Sequence, residues 1–362
     1  MSQLYLTSSL IPNIKLLSFE ELFKYTKPED ILLVFDTNLV IYYREFYLNS
    51  EKFIGDHGKN DIYLILRYFI EQIERYNLIV NASIGVDESS RSKKDFNLIL
   101  EKVEQTHEAI MNLFAMDITK FDTYVKQKLV IEPIIDRSKL TTSKVGCLSQ
   151  KSMFQNLLIV SYAAALKLYI LQTRIDKKTL TPRDAYIEFH EFMTIEVNCT
   201  MGTISLFALH LFGGVDKFKS MIFAKSSASV EEKIHQLYNG AIDLIYPYIV
   251  NRVQNLFPPL GSNKKLIPIL VTMDKKMATL HSLINTKVIF ESNDSKPNFN
   301  PELIEIKFID KMSWNDDDLK HFKSLFLKDI YRVEKNISKT GREVKHLLPV
   351  VAKYEKMVID LI

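Results

Sequence analysis

The chain has 362 residues, enough for two domains or one domain carrying a large insertion, and its 47% hydrophobic and 25% charged content is that of an ordinary water-soluble fold. Forty-seven basic against 44 acidic residues leave a net charge of +3, which permits a nucleic-acid partner without the lopsided basicity that would argue for one. Two cysteines, Cys147 and Cys199, exclude a disulfide framework and a cysteine zinc site, and a reducing cytoplasm is the expected compartment.

The N-terminus lacks the basic and apolar regions of a secretory signal. Residues 15–27 read as a helix, with Ser18 and Glu21 spaced as a capping box. Ile31-Leu-Leu-Val-Phe35 is a short continuous apolar run, the pattern of a strand buried on both faces, and it ends abruptly in Asp36-Thr37-Asn38. Apolar residues then recur at helical spacing over 61–73, and Leu78 to Ser83 reads as a second buried strand. That β-α-β order predicts a parallel pair.

From about 95 to 228 the pattern is helical, with no series of strands. Thr181-Pro182-Arg-Asp184 marks a helix start and Gly213-Gly214 a break, while the polar segment 138–152 reads as a mobile loop. Two apolar stretches, Asn156–Leu171 and Val197–Phe212, are interrupted by Lys167 and His210 and are shorter than a membrane span requires, so both are expected to be buried helices. A second capping box, Ser229 with Glu232, opens a helix to about Arg252. A turn at Pro258–Asn263 leads to a strand over 266–272 and another over Lys287–Glu291. The remainder predicts a short strand at Ile304–Phe308 and helices from about Ser313 and Gly341.

Four acids stand out. Asp36 and Asp274 follow apolar strands, and Glu88 comes a few residues after the strand at 78–83. If the crossovers are parallel, these three lie at the carboxyl edge of one sheet, where open α/β folds bind ligands. Asp243 is the lone charge in Ala241 to Val250, one turn after Asn239 and four residues before Pro247, which deprives its carbonyl of a hydrogen-bond donor. Taken singly, Asp36 and Asp274 read equally well as helix N-caps, and Glu88 with Arg91 as a surface pair. Taken together, clustered carboxylates cannot all stay ionised without a cation. Oxygen donors with no His or Cys select Mg²⁺ or Mn²⁺, and such ions serve phosphodiester hydrolysis.

Phe35-Asp36-Thr37-Asn38, Glu88-Ser-Ser-Arg91, Asp243 on a helix and Val271-Thr272-Met273-Asp274 resemble, in order, the four acidic motifs of PIN-domain nucleases. The resemblance covers about a third of the chain, over 30–92 and 230–292. It implies an α/β fold: a PIN-like α/β/α sandwich with a central parallel sheet, here with a large helical insertion and a helical C-terminal tail. The division it suggests is 1–94 and 229–299 for the two halves of the core, 95–228 for the insertion and 300–362 for the extension.

It further implies a metal-dependent endonuclease, with Asp36, Glu88, Asp243 and Asp274 binding Mg²⁺ or Mn²⁺. Asp87 adjoins Glu88, and the Glu-x-x-Arg match favours Glu88 as the metal-facing acid. Thr37, Asn38 and Thr272 would orient the carboxylates. The implied substrate is single-stranded RNA rather than DNA. Arg91, Lys275 and Lys276, with Lys93, Lys94, Lys264 and Lys265, are the candidate phosphate contacts, though most such lysines belong to solvated faces. Tyr42, Tyr43 and Tyr47 are candidates for base stacking, with core packing the more common role at that spacing.

Two departures stand against the resemblance: about 150 residues separate Glu88 from Asp243, and the chain is far longer than toxin-type ribonucleases. Asn38 removes the second acid of a dehalogenase-type phosphatase, and P-loop, zincin and nucleophile-elbow motifs are absent. The rival expectation is a catalytically inactive PIN-like scaffold that binds a protein or nucleic acid, with the helical insertion as a docking or homodimer surface and no membrane association.

Overall fold

The computed structural model describes residues 3–11, 14–57, 61–92, 98–127, 153–199, 201–253, 266–289, 302–307, 312–336 and 347–362. The chain divides into two compact units, Met1–Ser149 with Ile249–Ser282, and Gln150–Tyr248 with Leu283–Ile362.

The first unit is built on strands β1 (Tyr5–Ser8), β2 (Ile14–Leu16), β3 (Ile31–Phe35), β4 (Ile79–Asn81) and β5 (Ile267–Thr272), laid out in the order β2-β1-β5-β3-β4. As the apolar run requires, β3 is internal and its five residues are at most 1% exposed. It pairs in parallel with β4 on one side and β5 on the other. The sheet departs from the expected all-parallel form at its other edge, where β1 runs antiparallel to both β5 and β2. Tyr-Leu-Thr-Ser is too short and mixed to announce a strand; its register is set by β5, where Tyr5 faces Thr272.

Helices α1 (Phe19–Leu22), α2 (Thr37–Leu48), α3 (Ser50–His57), α4 (Ile62–Tyr76), α5 (Ser83–Ser89), α6 (Leu100–Phe114) and α7 (Ile118–Gln127) accompany the sheet. The helix expected over 15–27 shrinks to the single turn α1, because residues 14–16 extend as β2. Its cap is nonetheless formed: the Glu21 amide donates to Ser18 Oγ (3.2 Å), while Glu21 Oε2 accepts from the Leu17 amide (3.0 Å), one residue before the cap rather than at it. Helix α4 begins as expected, one residue in, and continues a turn past 73, closing at Asn77 in the left-handed conformation (φ 51°).

Helices α6 and α7 lie in this unit rather than beginning an insertion. Val103, Ala109, Ile110, Leu113 and Phe121 share one hydrophobic core with β3 and α2. Phe35 is enclosed by Tyr43, Phe69 and Phe114, with ring centroids 5.9, 5.2 and 5.7 Å away. Each fully buried side chain of this size stabilises the fold by about 1.5–3 kcal/mol, so α6 is integral to the sheet that carries the acids. The first unit therefore reaches Ser149, past the expected boundary at 94.

The second unit holds helices Met153–Asp176, Pro182–Glu191, Gly202–Phe212, Asp216–Ile222, Val230–Val250, Asp316–Asn336 and Leu347–Leu361, with a π-helical turn at Phe192–Glu196. The predicted starts hold. Thr181 Oγ1 accepts from the Asp184 amide (3.1 Å), and Ser229 and Glu232 exchange both bonds of a capping box (2.7 and 3.2 Å). The helix ends at Gly213 because Gly214 turns into the left-handed region (φ 85°), and Gly213 leaves room for Trp314: a Cβ there would lie 2.6 Å from the indole nitrogen, which donates to the Leu209 carbonyl (2.9 Å).

The strand expected near 287–291 is β6 (Ile284–Ile289), which pairs antiparallel with β7 (Glu302–Ile306) in a separate two-stranded sheet. The C-terminal helix belongs to this unit, tied to Met153–Asp176 by Tyr162 Oη donating to Glu355 (2.9 Å). Leu157–Asp176 is long and apolar enough to cross a membrane, but 78% of its most apolar window is buried inside the protein, as in a core helix. The loop expected at 138–152 and the turn at Pro258–Asn263 lie outside the described residues.

Candidate active site

The carboxyl ends of β3 and β5 meet at Asp36 and Thr272. The Asp36 amide still belongs to the sheet, donating to the Val271 carbonyl (3.0 Å), after which the chain turns into α2. Asp36 Oδ1 accepts from the Leu39 amide (3.0 Å), so the acid is an N-cap. Its other oxygen, Oδ2, accepts a hydrogen bond from the Thr272 hydroxyl. Asp36 is 5% exposed. Burial, with a contribution from Asp274, pushes its pKa up to about 6, against the opposing bonds from Thr272 and Leu39.

Thr272 is fully buried and joins two acids. Its hydroxyl proton goes to Asp36, and its oxygen accepts the Asp274 amide (2.9 Å). Asp274 in turn caps helix Lys275–Ser282, with Oδ1 accepting from the amides of Lys276 (2.6 Å) and Met277 (3.3 Å). Both capping readings of the strand-end acids are therefore correct, and neither prevents the acids from sharing one sheet edge.

Glu88 arrives from the other side on the last turn of α5. Asn81 at the end of β4 starts that helix, its side-chain oxygen accepting from the Ser83 amide (3.1 Å). Helix α5 lies against α2 at Gly85, where an added Cβ would come 2.6 Å from Val40 Cγ2 and 3.1 Å from the Asp36 carbonyl. This contact brings Glu88 Oε2 to the Thr37 hydroxyl, which donates to it. Burial pushes the Glu88 pKa up to about 7, with Asp36 and Asp87 adding; Thr37 and Arg91 act the other way. The partly accessible side chain is therefore held at its carboxylate end in a poorly solvated position.

The neighbouring acid is differently employed. Asp87, 2% exposed, is gripped by Arg91 Nη2 through both carboxylate oxygens (2.5 and 2.7 Å). Glu88 is thus the member of the pair that turns toward Asp36. Arg91, expected to contact substrate, has its Nη2 committed to this buried internal carboxylate.

Asp36, Glu88 and Asp274 all belong to the first unit, and Asp36 is electrostatically coupled to both of the others. Asp243 belongs to the second unit, half-buried on a helix that continues through Pro247 to Val250. Among the described residues, no group of three or more His, Cys, Asp or Glu is arranged as a metal cage.

Of the expected orienting residues, Thr37 and Thr272 bond the acids and Asn38 is exposed. Lys275 is exposed and Lys276 half-buried; Lys93, Lys94, Lys264 and Lys265 lie outside the described residues. Tyr43 and Tyr47 are core residues whose hydroxyls donate to the Leu66 carbonyl (3.1 Å) and Glu108 (3.0 Å). Tyr42 keeps a partly accessible ring, and its hydroxyl titrates above the ordinary tyrosine range through burial and the nearby Asp36. The residue that sequence reasoning passed over is Gly85, whose only signal is its place three residues before Glu88.

Comparison of the chain with protein-family models, with curated proteins and with solved structures finds no match.

Proposed function

We propose that this chain is a PIN-like nuclease that hydrolyses phosphodiester bonds, RNA in preference to DNA, with a divalent cation held by Asp36, Glu88 and Asp274. One observation carries the reading: Asp36 and Glu88 are carboxylates crowded at the carboxyl edge of a parallel strand pair, Asp36 helps to raise the pKa of Glu88 as Asp274 does that of Asp36, and Asp36 Oδ2 and Glu88 Oε2 each accept from a threonine hydroxyl. Buried carboxylates without a basic partner are costly. A hard cation offsets that cost, and an all-oxygen donor set suits Mg²⁺ or Mn²⁺.

When bound, such an ion supplies positive charge to the phosphate and a more acidic water. The chain's own residues do the rest. Asp36 and Glu88 hold their oxygens in place through Thr272 and Thr37, and Asp274 is fixed by the first turn of its helix. Lys275, exposed beside Asp274, is available to neutralise substrate phosphate.

The test is incubation of the full chain with single-stranded and duplex RNA and DNA, in Mn²⁺ and in chelator. Cleavage that requires Mn²⁺ and disappears in Asp36→Asn is expected. Equal products from wild type and Asp36→Asn would remove Asp36 from the reaction. The second reading, a catalytically inactive scaffold, is favoured by the threonine hydroxyls that already occupy one oxygen of each acid and by the lack of a preformed cage among the described residues. Absence of Mn²⁺-dependent cleavage of any of the four substrates, with nucleic-acid binding retained, would decide for it.

A further inference from the structure

One face of α2 runs along α5. Thr37 bonds Glu88, Val40 lies against Gly85, and Arg44 Nη1 reaches the Ser89 carbonyl (3.4 Å). Positions i, i+3 and i+7 fall on a single helix face, and at a rise of about 1.5 Å per residue Arg44 stands about 10 Å along the axis from Thr37. Its second contact is Thr106 Oγ1 (3.3 Å), whose own proton is committed to the Lys102 carbonyl (2.6 Å). Both acceptors are neutral, and both bonds are long for a guanidinium.

Arg67, Arg91 and Arg174, by contrast, are closed onto carboxylates at 2.5–2.8 Å. Among the described residues no carboxylate lies within ion-pair distance of Arg44, and burial pulls its pKa below the ordinary arginine value, with only Glu45 opposing. This half-buried guanidinium, oriented by neutral groups on the same helix face as the residue that positions Glu88, is therefore open to an anion from outside the chain.

The geometry points to Arg44 as a substrate-positioning residue that holds a backbone phosphate of the RNA one or two nucleotides from the scissile bond. This rests on the nuclease reading. It also explains how a strand could be held beside the acids although Arg91 is internally paired. The competing role is purely structural, with Arg44 closing the carboxyl end of α5 through the Ser89 carbonyl.

The full chain carrying Asp36→Asn, with and without Arg44→Gln or Arg44→Lys, is titrated into a fluorescent single-stranded oligoribonucleotide across a range of salt, in chelator and in Mn²⁺. Arg44→Gln is expected to weaken binding about tenfold and to make the logarithmic salt dependence shallower by about 0.7, the contribution of one phosphate contact on a single strand. Arg44→Lys is expected to recover the slope and part of the affinity. In the chain with Asp36 intact, Arg44→Gln should raise KM about tenfold and change kcat less than twofold. Unchanged affinity and slope, with only a lowered melting temperature, would overturn the proposal and leave Arg44 as a helix cap. An Arg44-dependent slope in a protein that cleaves nothing would refute the nuclease reading while sustaining the phosphate contact.

Discussion

Asp36 divides its oxygens between two tasks: Oδ1 caps α2 and Oδ2 takes the Thr272 hydroxyl. Neither bond offsets the burial that raises its pKa to about 6, and Glu88 is raised further, to about 7. For such groups the native state retains a proton that the unfolded chain gives up near pH 4. Their contribution to stability is full below that pH, is lost as pH rises through the folded values, and is flat above about pH 8. At about 1.4 kcal/mol per pKa unit, the two-unit rise at Asp36 corresponds to roughly 3 kcal/mol of destabilisation at neutral pH. Asp36→Asn should therefore raise the thermal midpoint near pH 8 and leave it unchanged near pH 4, as scanning calorimetry in chelator would register; a lower midpoint at both pH values would contradict the burial argument. Thr272→Val removes a hydroxyl that serves Asp36 and Asp274 together. It should cost about 1–3 kcal/mol in urea melts and, by withdrawing a bond that favours the ionised form of Asp36, shift the acid limb of the cleavage profile to higher pH.

At the scale of elements, the position of Glu88 depends on how closely α5 can approach α2. Gly85 permits that approach, since a methyl group would intrude on Val40 and on the Asp36 carbonyl. Gly85→Ala should cost about 1–3 kcal/mol by overpacking and should also abolish cleavage, because the displaced helix carries Glu88 away from Thr37. Full activity together with lost stability would show that the two helices can separate without moving the acid. The sheet imposes a similar constraint from the other side. The rung between the Asp36 amide and Val271 fixes the register that sets Thr272 beside Asp36.

Across the whole molecule the charge is nearly balanced, so the proposed binding of RNA would gain little from non-specific attraction and would depend on a few cations. If Arg44, Lys275 and Lys276 supply most of it, the slope of log K against log salt for a single strand should be about −2, at roughly −0.7 per contact. A much steeper slope in filter-binding measurements would require a wider basic surface than these three residues.

What was readable before folding is short-range. The apolar run over 31–35, the acids that close two strands, the Ser18 and Thr181 caps, the capping box at Ser229 and the helical period of α4 each depend on residues within a turn or two, where backbone sterics and local hydrogen bonds dominate. The remaining features rest on partners distant in the chain. β1 becomes a strand of this sheet only because β5, more than 250 residues later, offers it a ladder. Helices α6 and α7 join the sheet's core because their apolar faces match α2 and β3, a fit that helical periodicity cannot express. Asp87 and Glu88 are adjacent acids that only the Glu-x-x-Arg resemblance separates in the sequence; Arg91 and Thr37 give them opposite employment once α5 is docked. Local propensity specifies which segments are strands and helices, whereas the pairing of faces, set by burial and hydrogen bonds between remote segments, specifies which carboxylates share a site.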